Sequence, residues 1–217
     1  MAAAIFPGVG RKSIFFYIKR GKFAKITQLL HPRLHQAPNR TALNRHPIVF
    51  TAAAAAAPDA KRILSFGCST GEECVTLADY FPNSEIIGAD LNPLVLLKAR
   101  KHRSDRIRFV YASDRRLKRF GGFDAVFCMS VLRTSERRRI YGRYPFEVFQ
   151  ERALFLETLV RPGGILVMHN TTYRFSDTAH RNAYDRIPVD APHDPGVFLP
   201  DAVTEVEPDR CLFRRME

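Results

Sequence analysis

Apolar positions along this chain fall into two regimes. Before Pro58 they are scattered among prolines, whereas after it they form short blocks at regular spacing. The segments Arg62 to Phe66, Glu85 to Ala89, Ile107 to Tyr111, Phe123 to Met129 and Ile165 to Met168 carry continuous apolar runs. Runs of that kind, without polar alternation, predict strands buried on both faces, as in a parallel sheet covered by helices. Helical spacing predicts helices over Glu72 to Phe81, from Pro93 to about His102, and over Phe146 to Val160. Pro93 in a first turn is a start signal. A short basic stretch leads to Phe120, and Arg161-Pro162-Gly163-Gly164 reads as a turn.

Strand and helix in alternation point to a doubly wound, Rossmann-like α/β domain. The tail is less regular. A helix over Asp177 to Arg186, a loop over Asp190 to Pro195 and one or two late strands within Val197 to Arg214 are expected. Upstream, Phe23, Ile26, Leu29 and Leu30 suggest a short amphipathic helix. Pro32, Pro38 and Pro47 then interrupt regular structure, and Ala52 to Ala57 forms a helix or spacer. The chain divides into a basic N-terminal extension or cap, residues 1–58, and a main domain, residues 59–217.

Charge sharpens that division. The net charge is +12, yet residues 1–58 hold nine Lys or Arg and no acid, while the remainder holds 25 basic and 22 acidic residues. Such a segment can attract nucleic acid, an anionic membrane surface or an acidic protein, or be a solvated arm. Acid-free basic composition resembles a mitochondrial presequence, but serine is scarce there, and the cytoplasm is the default location. No run approaches the roughly eighteen apolar residues that span a bilayer. The four cysteines show no C-x-x-C spacing, so no metal site is expected, and they read as buried, reduced side chains.

Candidate chemistry begins at Ser65-Phe66-Gly67-Cys68-Ser69-Thr70-Gly71-Glu72-Glu73. In doubly wound sheets ligands sit beyond the carboxyl ends of the strands, which brings residues Gly67 to Gly71 to the ligand. Gly67 permits a sharp turn and Gly71 a close approach at the helix start. A dinucleotide loop reads G-x-G-x-x-G and leaves its helix N-terminus open to pyrophosphate. Here position 69 is serine, and two glutamates in the first turn oppose a phosphate. No Lys-Ser or Lys-Thr follows Gly71, so a P-loop is excluded. A ligand with cationic groups and no phosphate, such as S-adenosylmethionine, suits the loop, with Glu72 either a direct ligand or only a helix-dipole partner. Asp90 ends the second strand 23 residues after Gly67, where an acid accepts ribose hydroxyls. Leu91 follows it, and Ser113 and Asp114 end the third strand, placed for an adenine amine.

Five segments in order, "ILSFGCSTGEE", "IIGADLNPLVLLKAR", "RFVYASD", "FDAVFCMSVL" and "LVRPGGILV", resemble a class I S-adenosylmethionine-dependent methyltransferase from about Lys61 to Asn170. Within that class, GCSTGEE and ADLN with its following LKAR are most similar to the chemoreceptor glutamate methyltransferases. The resemblance implies a seven-stranded sheet with a final antiparallel strand, and methyl transfer by direct displacement. It also implies a cofactor contact after the fourth strand, where the pattern's asparagine is Ser130 here.

The acceptor side should be lined by the loops after the fourth and fifth strands. They supply Arg133, then Arg137, Arg138, Arg139 and Arg143, and His169, Asn170 and Tyr173. His169 or Tyr173 is a candidate base or acceptor-orienting group. The arginines suit a small anionic or carboxyl-containing metabolite. Two other readings stand beside it: a protein carboxyl or RNA methyltransferase docked through the basic N-terminus, and a module that binds the cofactor without turnover. The ten cations between Lys98 and Arg119 read as mostly solvated surface.

Overall fold

The computed structural model describes residues 41–134, 144–193 and 195–217. Its centre is one seven-stranded sheet in the order β3-β2-β1-β4-β5-β7-β6. The strands are β1 Arg62–Phe66, β2 Glu85–Asp90, β3 Ile107–Tyr111, β4 Phe123–Met129, β5 Val160–His169, β6 Tyr184–Pro188 and β7 Cys211–Arg215. Strands β1 to β5 pair in parallel, and β7 runs antiparallel to both β5 and β6. The sequence expectation of a seven-stranded, doubly wound sheet with a final antiparallel strand is met.

Both faces of the sheet are covered, which is why the strand runs are apolar throughout. On the first face, α4 (Asp114–Lys118) contributes Leu117, and α5 (Phe146–Thr158) contributes Phe146, Phe149, Ala153 and Leu156. The second is covered by α1 (Pro47–Ala56) through Val49, Phe50 and Ala53, and by α2 (Glu72–Tyr80) through Cys74, Leu77 and Ala78. Phe127 on β4 is fully buried there, 6.1 Å from the Phe50 ring and 6.0 Å from Phe81. Helix α3 (Pro93–Ala99) starts as its sequence indicates: Asn92 accepts from the Leu94 amide at 3.0 Å and Pro93 takes the first helical position.

Several local expectations are corrected. Pro47 starts α1 instead of interrupting it, because a first-turn proline forfeits no helical hydrogen bond. Part of the basic stretch before Phe120 is helix α4. Helix α5 ends at Thr158, and Val160 already belongs to β5. Arg161 to Gly164 is absorbed into that strand as a bulge, since β4 pairs Phe123 with Val160 but Ala125 with Ile165. No α-helix forms over 177–186. Two short turns, Phe175–Asp177 and Arg181–Ala183, lead into β6, held by Arg174 on Asp177 and by the Thr178 hydroxyl on the Phe175 carbonyl. After Val197, Phe198 makes only isolated bridges, to Tyr173 and Glu205, before β7. The helix expected over 22–30 lies outside the described residues.

All four cysteines are buried and unpaired. No helix among the described residues is long and apolar enough to cross a membrane. Because Phe127 joins β4 to α1, Phe127→Ala is expected to lower stability by about 3–5 kcal/mol. A denaturant midpoint that falls at unchanged slope is the measurement.

Candidate active site

The carboxyl ends of β1, β2, β4 and β5 meet along one rim, and the chain turns sharply at each. Ser69, Ser130 and Asn170 all take left-handed backbone angles, with φ of 50°, 57° and 53°. Left-handed non-glycine residues are uncommon, and three of the six among the described residues gather at this rim, which makes it the candidate site.

Asp90 organises the β1 side. Its Oδ2 accepts from the Ser69 amide at 2.9 Å and its Oδ1 from the Asn92 amide at 2.8 Å. The Ala89 carbonyl accepts from the Gly67 and Cys68 amides at 2.7 and 3.1 Å. Burial raises the Asp90 pKa, and the backbone N–H bonds work against that rise. The glycines serve close packing. At Gly67 (φ +78°) an added Cβ would lie 2.3 Å from a Val131 methyl, and at Gly71 (φ +96°) 2.9 Å from the Phe109 ring. Protein side chains, rather than open ligand space, therefore crowd the spot where each Cβ would stand.

The two glutamates of α2 part company. Glu72 accepts from the Thr70 hydroxyl at 2.6 Å and lies 3.8 Å from Lys101 and 3.9 Å from His102. Burial opposes ionisation, but these partners and a backbone bond hold its pKa below the ordinary value. Glu73 instead accepts from the Ser65 hydroxyl on β1 at 2.8 Å. Burial pushes its carboxyl up to about 7, against the Ser65 bond and the positive charge of Arg45. Its surface is nonetheless only half-buried. Protein on every side with one wet face describes a carboxyl on the floor of a cleft. Glu73, not Glu72, is the acid turned toward the sheet. The signal was in the sequence, since Glu73 lies four positions before fully buried Leu77 and shares its helix face.

The β4 and β5 ends are zipped together. His169 accepts at its carbonyl from the Ser130 amide at 2.8 Å, and Asn170 Nδ2 donates to Ser130 Oγ at 3.2 Å. Beyond them the Leu132 carbonyl accepts from Thr172 N–H and Thr172 Oγ1 accepts from Thr134 N–H. His169 is 7% exposed, and its Nε2 has no hydrogen-bond partner among the described residues. His46 packs edge-on against it at 4.8 Å and His193 at 5.0 Å. Burial, reinforced by the charges of His46, His193 and Arg45, lowers its pKa to about 3. The ring is therefore neutral at physiological pH. Arg45, His46 and His193 had drawn no attention in the sequence, because nothing local ties them to β5.

Other nominated residues divide. Cys68 is buried with its thiol pushed up by Cys74, by burial and by nearby carboxylates, and its amide and carbonyl are hydrogen-bonded to Ala89 and Gly71. Leu91 is half-buried against the first core. Ser113 precedes α4, and Asp114 accepts from Arg152 at 2.7 Å. Arg133 Nη2 donates to the Pro195 carbonyl at 2.6 Å, while its buried Nη1 has no hydrogen-bond partner among the described residues. Tyr173 is corrected as a candidate base. It is fully buried among aromatic rings and donates its hydroxyl to the Tyr144 carbonyl at 2.8 Å. Arg137, Arg138, Arg139 and Arg143 lie outside the described residues.

Residues 63–143 match the family described as "Methyltransferase domain". Over 108 residues the chain is 27% identical to trans-aconitate 2-methyltransferase of Deinococcus radiodurans, covering 49% of this chain and 36% of that protein. The chain thus spans about a third of that relative's length. It is also similar to the structure of an amino pentose methyltransferase from Micromonospora echinaspora solved with S-adenosylmethionine (24% identity, 70% of this chain, 54% of that one, TM-score 0.42). A second similar structure is an O-methyltransferase family protein from Burkholderia thailandensis (15% identity, 77% and 47% coverage, TM-score 0.48). Residues 63–143 are thus similar to a methyltransferase domain, and the sheet around them has the seven strands and final antiparallel strand that such a resemblance implies. The rim suits S-adenosylmethionine chemically, with the carboxyls of Glu73 and Asp90 on the β1–β2 side and the Arg45 charge near Glu73.

Glu73 also generates a pH dependence. Its folded pKa of about 7 exceeds the ordinary 4.5, so its contribution to stability is full below the ordinary value and lost as pH rises through 7. Glu73→Gln is expected to remove that decline. Denaturant midpoints compared from pH 5 to 8 should show the variant gaining on the wild type as pH rises.

Proposed function

We propose that this protein transfers the methyl group of S-adenosylmethionine, by direct displacement, to a small anionic or carboxyl-containing metabolite. When bound, the cofactor supplies a methyl group activated by a positively charged sulfur. In this reading Asp90, with Leu91 beside it, holds the ribose, and the backbone from Gly67 through Cys68 and Ser69 to Gly71 lies along the amino-acid end. Glu73 receives the ammonium and Arg45 the carboxylate of that end. Ser113 and Asp114 stand at the adenine, and Ser130 closes the cofactor side of β4. Glu72 keeps the loop's outer face through Thr70 and Lys101. The described part of the N-terminal extension, residues 41–58, acts as a cap, since α1 and the preceding Arg45 and His46 reach the rim.

One observation carries the choice of acceptor. His169, the nominated base that remains, is neutral with a pKa of about 3, far below the range useful for removing a proton at pH 7. A carboxylate acceptor needs no base. Its oxygen would already hold the electron pair that the methyl of the bound cofactor would accept, so no residue of the chain would have to take up a proton. Arg45 is among the groups near His169, and Arg133 Nη1, with no hydrogen-bond partner among the described residues, adds a second positive group, which suits an anion approaching from the β5 side. The relative from Deinococcus radiodurans is named for trans-aconitate, itself an organic anion.

Incubation with methyl-labelled cofactor and a cell extract split into small molecules, protein and nucleic acid tests the reading. Label is expected among small acids, in a product that releases methanol in base. Label confined to protein or nucleic acid would exclude it. His169→Gln is expected to keep kcat within about tenfold, because general-base loss typically removes 10²–10⁴. A drop in that larger range, with cofactor affinity unchanged, would instead make His169 the base.

A further inference from the structure

Strand β3 is the outer edge of the sheet on the side away from β6. Cations wrap this edge from three elements. Lys98, Arg100, Lys101 and Arg103 follow one another at the end of α3. Arg106 and Arg108 stand just before and on β3. Arg115, Arg116, Lys118 and Arg119 belong to α4 and its end, on the first face of the sheet. All ten are exposed, and Asp105 is the one exposed acid among residues 98–119.

Internal partners use few of these charges. Lys101 pairs with Glu72 and Arg108 with Glu85, while Arg106 caps the Ala78 and Phe81 carbonyls at the end of α2. Arg103, Arg115 and Arg116 make no ion pair among the described residues. Keeping a sheet edge from self-pairing takes one or two charges, which Arg106 and Arg108 already supply. Last-turn cations favour a helix dipole, but α4 has only five residues. Neither purpose explains a band of ten.

We infer that this basic edge docks the phosphate backbone of a nucleic-acid duplex, a binding activity separate from methyl transfer. Seven of the ten cations are arginines, whose forked donors match phosphate oxygens. Five strand residues rise about 16 Å. Over that length a duplex presents about nine phosphates, close to the number of cations offered. A single strand is disfavoured, because Phe109, Tyr111 and Phe120 are each partly buried and offer no open ring for base stacking. A bilayer surface is disfavoured too. Leu97, 59% exposed, is the one large apolar side chain the band presents for insertion.

The test uses the full chain and labelled duplex RNA and duplex DNA, followed by fluorescence anisotropy at stepped salt. Binding to either duplex, with the logarithm of affinity falling linearly against the logarithm of salt, is expected. In the triple variant Arg103→Gln, Arg115→Gln, Arg116→Gln the slope should shrink by about 2.7, at about 0.9 for each phosphate contact removed. The basic segment before Pro58 is untouched by these changes, so a loss maps to the edge. Unchanged cofactor affinity by calorimetry shows that the variant is folded, and makes the result independent of which acceptor is methylated. Equal affinity and slope in wild type and variant would overturn the inference. So would binding to anionic vesicles without binding to either duplex.

Discussion

The carboxylate of Asp90 is the constraint on which the rest of this site depends. One of its oxygens takes the Ser69 amide, from the loop after β1, and the other takes the Asn92 amide, which caps α3. A single side chain thereby joins two strand ends and two helix starts. Burial makes a bare carboxylate unfavourable here, and the backbone N–H groups that offset this penalty are the ones the loop must present in order. Ser69 can hold its left-handed turn because that amide is claimed. Gly67 can then pass beneath Val131, and Gly71 can start α2 against Phe109.

From this clamp an electrical division of the rim follows. Carboxyls gather on the β1–β2 side, with Glu73 and Asp90 raised in pKa by their surroundings. Arg45 and two further imidazoles gather on the β5 side, where burial first, and His46, His193 and Arg45 after it, keep His169 neutral. In the proposed reaction the methyl donor is positively charged at sulfur and the acid acceptor negative, so opposite ends of one cleft would favour each. Arg45 lies between, close enough to influence both Glu73 and His169. Hydrogen bonds tie Ser130 to His169 and Asn170, and Leu132 and Thr134 to Thr172, across the wall between the halves, and positioning is the largest demand of the proposed displacement.

Much of the fold was legible because strands buried on both faces leave an unbroken apolar signature. The five parallel strands were legible for that reason, and Asn92-Pro93 announced α3 through a cap and a fixed φ. The C-terminal part was not, because β6 carries Asp185 and Arg186 at an edge and has no periodicity to read. The bulge at Arg161 to Gly164 likewise looks like any glycine turn until β4 lies beside it. At the rim, Gly67, Asp90, Ser130 and His169 were nominated from their places at strand ends, where the structure puts them. Glu72 was favoured over Glu73, and Tyr173 over Asn170, because residue type was weighed without the direction of the side chain.

What the sequence determined by itself is the order of elements and the loop chemistry after β1, since both are local: hydrophobic period, glycine and proline limits on φ, and acids in a first helical turn. Tertiary structure alone decided which acid faces inward and which histidines surround His169. Both depend on contacts between residues far apart in the chain. Arg45 and His46 come to β5, more than a hundred residues away, because α1 buries Val49, Phe50 and Ala53 on the second face of the sheet. That burial is hydrophobic and nondirectional. The charges it carries to the rim are placed as its consequence, and no local pattern announces them.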